Sequence, residues 1–412
     1  MSNYRYIPMQ FYDSLADAKR TLKENSLTAL QLQLSLLEWL ERQASIPAYQ
    51  SFITTHGHRP VEDDATRQML GEFLHRQVRD MAGTASTHWI NDDMSAIVNM
   101  AALDMKPSGL RAPDLPTDTG WMVFERPVPL FFGGAGGDPT EVRIAAIGWQ
   151  VGTVRRAPLS DAADGATDPS AGQLVPGVSY YLFQTAHDAA VLQNTMAERR
   201  GDEVRVTEDE IVRSQGPLPI FDFSGWAYDT PWNTVSVVNE EQAGYSDEQG
   251  AQYCHAVVDQ ARRLLLAAWR IFRQKNIVQR DVTAQPNHQL RKRAARVSFT
   301  PEINDIVIIS MRTTVYRGLQ KKAAEAAAED GEEEPTSWYR CKFFVRGHWH
   351  PYWTGPRVDE PCEHNLVEIP DSDDLLCTLC GRTLIEKYVL PYPKGNPNGP
   401  LLLHKHILSL EQ

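Results

Sequence analysis

"GWMVFERPVPLFFGGAGGDPTEVRIAAIGWQVGTV", residues 120–154, is the stretch that decides the fold. Two runs rich in β-branched and aromatic residues flank the glycine-rich segment "GGAGGDPT". Strand-forming runs split by turn formers read as neighbouring strands. A third run, "GVSYYLFQT" (177–185), follows a Gly/Ala/Asp/Ser-rich segment at 158–173. The spacing predicts an antiparallel meander with one long, mobile loop. "GGAGGD" lacks the Lys-Ser/Thr pair of a phosphate loop and lies between strands, so it reads as a hairpin loop.

Upstream of the meander, residues 12–105 read as helical. In "TALQLQLSLLEWLERQ" (28–43), Leu30, Leu34, Leu37 and Leu40 recur at helical spacing beside Leu32 and Leu36, with Ser26 or Thr28 as N-cap. In "TRQMLGEFLHRQVRDMAG" (66–83), Met69, Leu70, Phe73, Leu74, Val78 and Met81 make one face, and Gly83 suits the end. A third helix is expected from Asp93 to Met105. Downstream, "GPLPIFDFSGWAYDTPWN" (216–233) mixes turn formers with aromatics and reads as an irregular segment crossing the core. The strongest helix is expected over 245–274, where Val257, Ala261, Leu264, Leu265, Ala268, Trp269 and Phe272 share a stripe. A strand is expected at 304–316, and "LQKKAAEAAAEDGEEEPTS" (319–337) reads as an acidic, low-complexity linker.

The totals narrow the class. The chain has 412 residues, 42% of them hydrophobic and 23% charged, which suits a globular protein of more than one domain. Its net charge of −12 means that any affinity for a polyanion must come from a local patch. The N-terminus has no apolar leader, and no run approaches the ~20 apolar residues of a spanning helix. A cytoplasmic protein without membrane contact is expected.

The sharpest motif lies near the C-terminus. Cys362-x-His364 is followed, after twelve residues, by Cys377-x-x-Cys380-Gly381. Three cysteines crowded together in a chain with an odd total of five argue for metal ligation in a reducing compartment rather than for disulfides. Zn²⁺ takes four tetrahedral thiolate and imidazole ligands, and four protein ligands leave no open position. A closed, structural zinc site on Cys362, His364, Cys377 and Cys380 is therefore expected, with Cys341 as a substitute for His364. Cys254 reads as a small buried hydrophobe. The acids around the motif, Asp359, Glu360, Glu363, Glu368, Asp371, Asp373 and Asp374, oppose phosphate contact by the knuckle itself.

Two other features carry chemistry. Residues 256–299 hold Arg262, Arg263, Arg270, Arg273, Lys275, Arg280, Arg291, Lys292, Arg293 and Arg296 against only Asp259 and Asp281. Such a cluster suits a phosphate backbone or, equally, a solvated helix face. "YRCKFFVRGHWHPYW" (339–353) adds aromatic and basic residues together. Read as one strand, it puts Cys341, Phe343, Val345, Gly347 and Trp349 on a core face, and Arg340, Lys342, Phe344, Arg346, His348 and His350 on a polar face. The pairs His348/His350 and His404/His406 would bring four imidazoles together if their strands were neighbours, while His56/His58 reads as an unrelated loop pair. An acid–base pair on RNA also needs a cation, for which Arg346 and Lys394 are the candidates.

The order "RKRAAR", "ISMR", "WYRCKFFVRGHWHPYW" and "LPYPKGNPNGPLLLHKHILSL" resembles a family of uncharacterised proteins from actinobacteria, their plasmids and their phages. The shared pattern is V-R-G-H-W, then P-x-x-K-G, then a terminal strand, over roughly residues 255–412. Members of that family commonly carry another basic residue where His350 stands. The resemblance implies a bacterial or phage setting linked to mobile elements, and no activity.

These readings converge on an α+β protein. Its expected parts are a helical region (1–108), a β-meander with an irregular segment (109–240), and a long helix with a basic stretch and a strand (241–318). An acidic linker (319–336) and a small β domain (337–412) with a zinc knuckle at 362–381 complete it. The leading function is nucleic-acid binding in regulation or host interaction. Arg291, Lys292, Arg293 and Arg296 would meet phosphates, and Arg346, Trp349 and Trp353 would pair or stack with bases. One alternative is a ribonuclease-type toxin or effector with His348 as acid–base and Arg346 as stabiliser. Another is an interaction scaffold whose zinc insert docks a host protein.

Overall fold

The computed structural model describes residues 15–43, 45, 64–132, 140–155, 173–200, 205–231, 248–297, 306–311, 342–345, 347–356, 362–369, 374–390, 392–395 and 401–402. The elements of the main body are α1 (Leu15–Leu40), α2 (Asp64–Thr84), β1 (Ser86–Ile90), α3 (Asp92–Leu103), β2 (Thr119–Phe132), β3 (Thr140–Arg155) and β4 (Leu174–Phe183). They continue with α4 (Ala186–Arg200), α5 (Glu208–Gln215), β5 (Ile220–Ala227), α6 (Glu248–Phe272), β6 (Val278–Ala284), α7 (His288–Ala294) and β7 (Ile306–Met311). The fold is α+β, as the sequence suggests.

One seven-stranded sheet, ordered β5-β4-β3-β2-β1-β7-β6, organises this body. Strands β2, β3 and β4 form the expected antiparallel meander, and β5 extends it. Alternation along the strands feeds a core on each face. Met122 and Phe124 of β2 and Val178, Tyr180 and Leu182 of β4 join α3 and α6 on one side. Trp121 and Val123, with Tyr181 and Phe183, join α1 and α2 on the other. Gly120 is required by close approach, because a Cβ there would collide with the Trp149 ring across the strand pair. That ring is fully buried and donates from Nε1 to the Thr117 carbonyl at 2.9 Å.

Several expectations change. Residues 86–90, inside the region read as helical, form β1, which is parallel to both β2 and β7. Thr87, His88, Trp89 and Ile90 are all buried, because both faces of this strand are covered, so no alternation marks it. Helices α1 and α2 pack on the same sheet as the meander, so the divisions at 108 and 240 fall inside one body. Helix α1 begins at Leu15, and Ser26 is a buried interior residue rather than its cap. Phe73 is 55% exposed, while Leu74, Val78 and Met81 are buried as expected. The 216–233 segment supplies β5, an edge strand. The loops at 133–139 and 156–172, the acidic linker, Cys341 and Arg346, and the pairs His56/His58 and His404/His406 lie outside the described residues.

The third helix matches its reading to within two residues. Asn91 caps α3 by accepting from the Met94 N–H at 3.2 Å, and the Glu125 carboxylate accepts from the Asp92 N–H at 2.9 Å. Both place oxygen at the positive end of the helix. In α6, Ala261, Leu264, Leu265, Ala268, Trp269 and Phe272 are buried as their spacing predicts.

The β5–α6 contact buries a carboxylate. Burial pushes the Asp222 carboxyl up to about 7, against a hydrogen bond from the Phe223 N–H and the attraction of Arg262. An unfolded chain titrates near ~3.9. The folded state thus holds this proton more tightly, and its advantage is lost as pH climbs from about 4 to about 7. Asp222→Asn should therefore stabilise the protein increasingly across that window and by a constant amount above it, with little effect near pH 4. Thermal melts of both proteins from pH 4 to 8 check this; a difference that does not grow with pH would refute it.

Candidate metal centre and the sheet it fixes

The C-terminal elements are β8 (Lys342–Val345), β9 (His348–Thr354), β10 (Leu366–Glu368), β11 (Leu375–Cys377), β12 (Thr383–Val389), β13 (Tyr392–Gly395) and β14 (Leu401–Leu402). They make two sheets rather than one, β10-β11-β12-β9 and β13-β8-β14. The stretch read as a continuous strand over 339–353 is thus broken between Val345 and His348. Its first half pairs with the Lys394 segment and its second with β12. The V-R-G-H-W and P-x-x-K-G segments meet here, with Val345 opposite Tyr392. The strand β14, near His404, neighbours β8 and not β9.

The metal insert sits between the two strands of the β9–β12 hairpin. Cys362 and His364 precede β10, Cys377 ends β11, and Cys380 lies in the turn before β12. The turn closes through the Gly381 N–H to the Cys377 carbonyl at 2.9 Å and the Cys377 N–H to the Arg382 carbonyl at 2.8 Å. Gly381 has φ +68°, a conformation that costs a side-chain-bearing residue ~1–2 kcal/mol.

All four expected ligands converge. One ligand atom from each of Cys362, His364, Cys377 and Cys380 lies within 4.8 Å of the others. The Cys362 and Cys377 sulfurs are 3.8 Å apart, and the Cys380 sulfur is 3.6 Å from His364 Nδ1. A tetrahedron with metal–sulfur bonds of ~2.3 Å has edges of ~3.8 Å, so the group is sized for one ion. Burial and hydrogen bonds to Cys380 and Cys377 push the Cys362 thiol up to about 11. At Cys377 burial opposes ionisation, but the Cys380 backbone, the His364 and Cys380 side chains and the Leu379 backbone outweigh it and hold the thiol at about 6. Three sulfurs this close cannot all ionise cheaply until a cation joins them, so metal entry should release protons.

A second layer orients the imidazole. The Trp353 ring stacks on His364 at 3.8 Å between centroids, and the Arg382 guanidinium lies 5.7 Å from the Trp353 ring. Asn365 donates from Nδ2 to Thr378 Oγ1 at 3.1 Å, tying the two ligand-bearing segments together.

The sheet is anchored to the main body by Trp349. Its backbone N–H donates to Asp104 Oδ2 at 3.3 Å, and its Nε1 donates to the Ala101 carbonyl at 3.0 Å. Its ring lies 5.4 Å from Tyr388, which is buried in the α3–α6 core. Because side chains alternate, this anchor turns His348, His350 and Tyr352 to the opposite face of β9. Cross-strand pairing puts Val389, Lys387 and Ile385 of β12 on that face too, followed by Thr354, Thr383, Leu376 and Val367. No carboxylate stands among these ten residues, although Glu386 lies on the other face.

The expected nucleic-acid contacts fare unequally. Arg291 and Lys292 on α7 and Arg296 just beyond it are exposed. Arg293 instead grips Glu38 of α1 through Nε at 2.8 Å and Nη2 at 2.9 Å, a pairing that holds the Glu38 carboxyl below its usual range. Arg262 is buried and donates to the Gly225 carbonyl, and Arg270 and Arg273 reach Asp114 at 3.5 and 3.4 Å. Much of the basic stretch is thus internal wiring. Trp349 and Trp353 are committed to the core and to His364, so neither is placed to stack on bases. Tyr352 and Lys387 are the residues that sequence reasoning missed. The period-2 pattern carried them, but only the β9–β12 register joins them to the histidines.

No protein-family model, curated protein or solved structure matches the chain.

Two substitutions test the centre. Gly381→Ala should cost about 1 kcal/mol, because open space around the position leaves only the backbone penalty. Trp353→Ala should weaken metal retention roughly 10–100-fold, the usual effect of removing a partner that orients a ligand. Chelator competition measures the second, and unchanged retention would remove Trp353 from the centre.

Proposed function

We propose that this chain binds single-stranded nucleic acid across the outward face of a zinc-stabilised sheet. The observation that carries the reading is the ladder of rings on β9. His348 and His350 lie 6.1 Å apart, and His350 meets Tyr352 edge-on at 4.8 Å. Lys387 stands opposite His350, and none of the ten described strand residues on that face is a carboxylate. Ring platforms beside cations are how single strands are held, since every base offers a π-face and every phosphate a charge.

Zinc is the metal proposed for the Cys₃His group, because closed thiolate–imidazole tetrahedra suit it. Its task here is structural: it clips the β10–β11 insert and so fixes where β9 and β12 diverge. Thiolate ligation requires a reducing compartment. Arg291, Lys292 and Arg296 are a second cationic area that supports the same partner.

The alternative of protein docking is favoured by one observation. Leu366, Val367 and Leu379, on the metal-clipped insert, are 39%, 42% and 65% exposed. Leu379→Asp separates the readings, since it should abolish docking and spare nucleic-acid binding.

Freshly purified protein should return one zinc per chain by elemental analysis. Labelled single-stranded oligonucleotides should bind with an affinity that falls steeply as salt rises. Tyr352→Ala should weaken binding roughly 5–100-fold, the range for losing one stacked base. Absence of binding at low salt would sink the proposal.

A further inference from the structure

We propose that His348, His350 and Lys387 form a site that cleaves RNA without a metal, a deepening that rests on the nucleic-acid reading of the same face. The two imidazoles are two residues apart on β9, and their rings stand at 87° with centroids 6.1 Å apart. Lys387 is the register partner of His350. Trp349, between the histidines, is held by its bonds to Asp104 and Ala101, so the pleat that presents both rings is rigid. Tyr352 packs edge-on against His350 and limits its rotation. Groups held on a strand by anchored neighbours suit chemistry that needs fixed geometry.

The charge on the face selects the ligand. Two imidazoles on one strand could grip a transition metal, but Lys387, the cross-strand partner of His350, adds a cationic side chain to the same face, and none of the ten described strand residues of that face is a carboxylate. Such a face attracts an anion. Imidazole is also the side chain whose proton exchanges near neutral pH, so a pair can take one proton and give another in a single displacement. A phosphodiester supplies both halves of that exchange.

The step balances within RNA itself. One imidazole accepts the proton of the ribose 2′-hydroxyl as that oxygen forms a bond to phosphorus. The bond from phosphorus to the 5′-oxygen breaks, and the departing oxygen takes its proton from the other, protonated imidazole. Lys387 stabilises the charge that builds on the non-bridging oxygens. The products are a 2′,3′-cyclic phosphate and a free 5′-hydroxyl. No metal, water or redox partner takes part. DNA, which has no 2′-hydroxyl, should bind and stay whole.

The test incubates the full chain, in its metal-loaded form and with chelator-treated buffer, with a short single-stranded RNA and the DNA of the same sequence. Cyclic-phosphate-ended RNA fragments, intact DNA and a bell-shaped dependence of rate on pH are expected. His348→Ala and His350→Ala should each lower the rate about 100-fold or more while leaving metal content and thermal melting unchanged. Lys387→Ala should do likewise, with partial recovery in Lys387→Arg. RNA that is bound but recovered whole overturns the cleavage and leaves the binding reading standing. Cleavage that survives both histidine variants traces to another nuclease and equally overturns it. Failure to bind either strand removes both.

Discussion

Hydrogen bonding of β1 to β2 on one side and to β7 on the other joins two pieces of the chain that are far apart in sequence. The meander β2–β5 and the pair β6–β7 would otherwise be separate sheets, each with open edges to protect. Because β1 is central and parallel to both neighbours, it must be covered above and below. Helices α1 and α2 cover one face and α3 and α6 the other. The two cores, the loss of alternation in β1 and the burial of the strongest apolar stripe, on α6, all follow from that placement.

The small sheet that carries the Cys/His cluster depends on the same body through a narrower contact. Trp349 and Tyr388 reach from β9 and β12 into the core beside α3, and Trp349 makes two hydrogen bonds to the end of that helix. At the other end of the same sheet, Trp353 lies on His364 of the metal group. Both contacts use one face of β9. The opposite face gathers the imidazoles, Tyr352 and Lys387, with His350 and Tyr352 exposed and His348 and Lys387 partly so. The metal group and the ring ladder are thus two faces of one strand pair, linked by the alternation of the backbone.

Charge shows where reading residues in a row misleads. The basic stretch over 256–299 looks like a surface patch when counted along the chain. In three dimensions Arg262, Arg270, Arg273 and Arg293 are each aimed at a specific carbonyl or carboxylate, two of them at the buried Asp114. Asp114 and Glu38 lie 156 residues or more from the arginines they meet. A guanidinium carries no local mark that tells a buried partner from an open phosphate; the partner's position decides.

What the sequence by itself determined is local in origin. The meander, the α6 stripe, the third helix and the four residues of the candidate metal centre follow from periodicity, capping and the spacing of Cys-x-His and Cys-x-x-Cys-Gly, which act over a few residues. Only the tertiary structure decided that 86–90 is a strand, that 339–353 divides between two sheets, and that Trp353 lies against His364. These outcomes turn on which distant segment supplies the pairing edge or the covering face. A short strand's own side chains do not encode that partner, because the same alternation fits either face until one is buried.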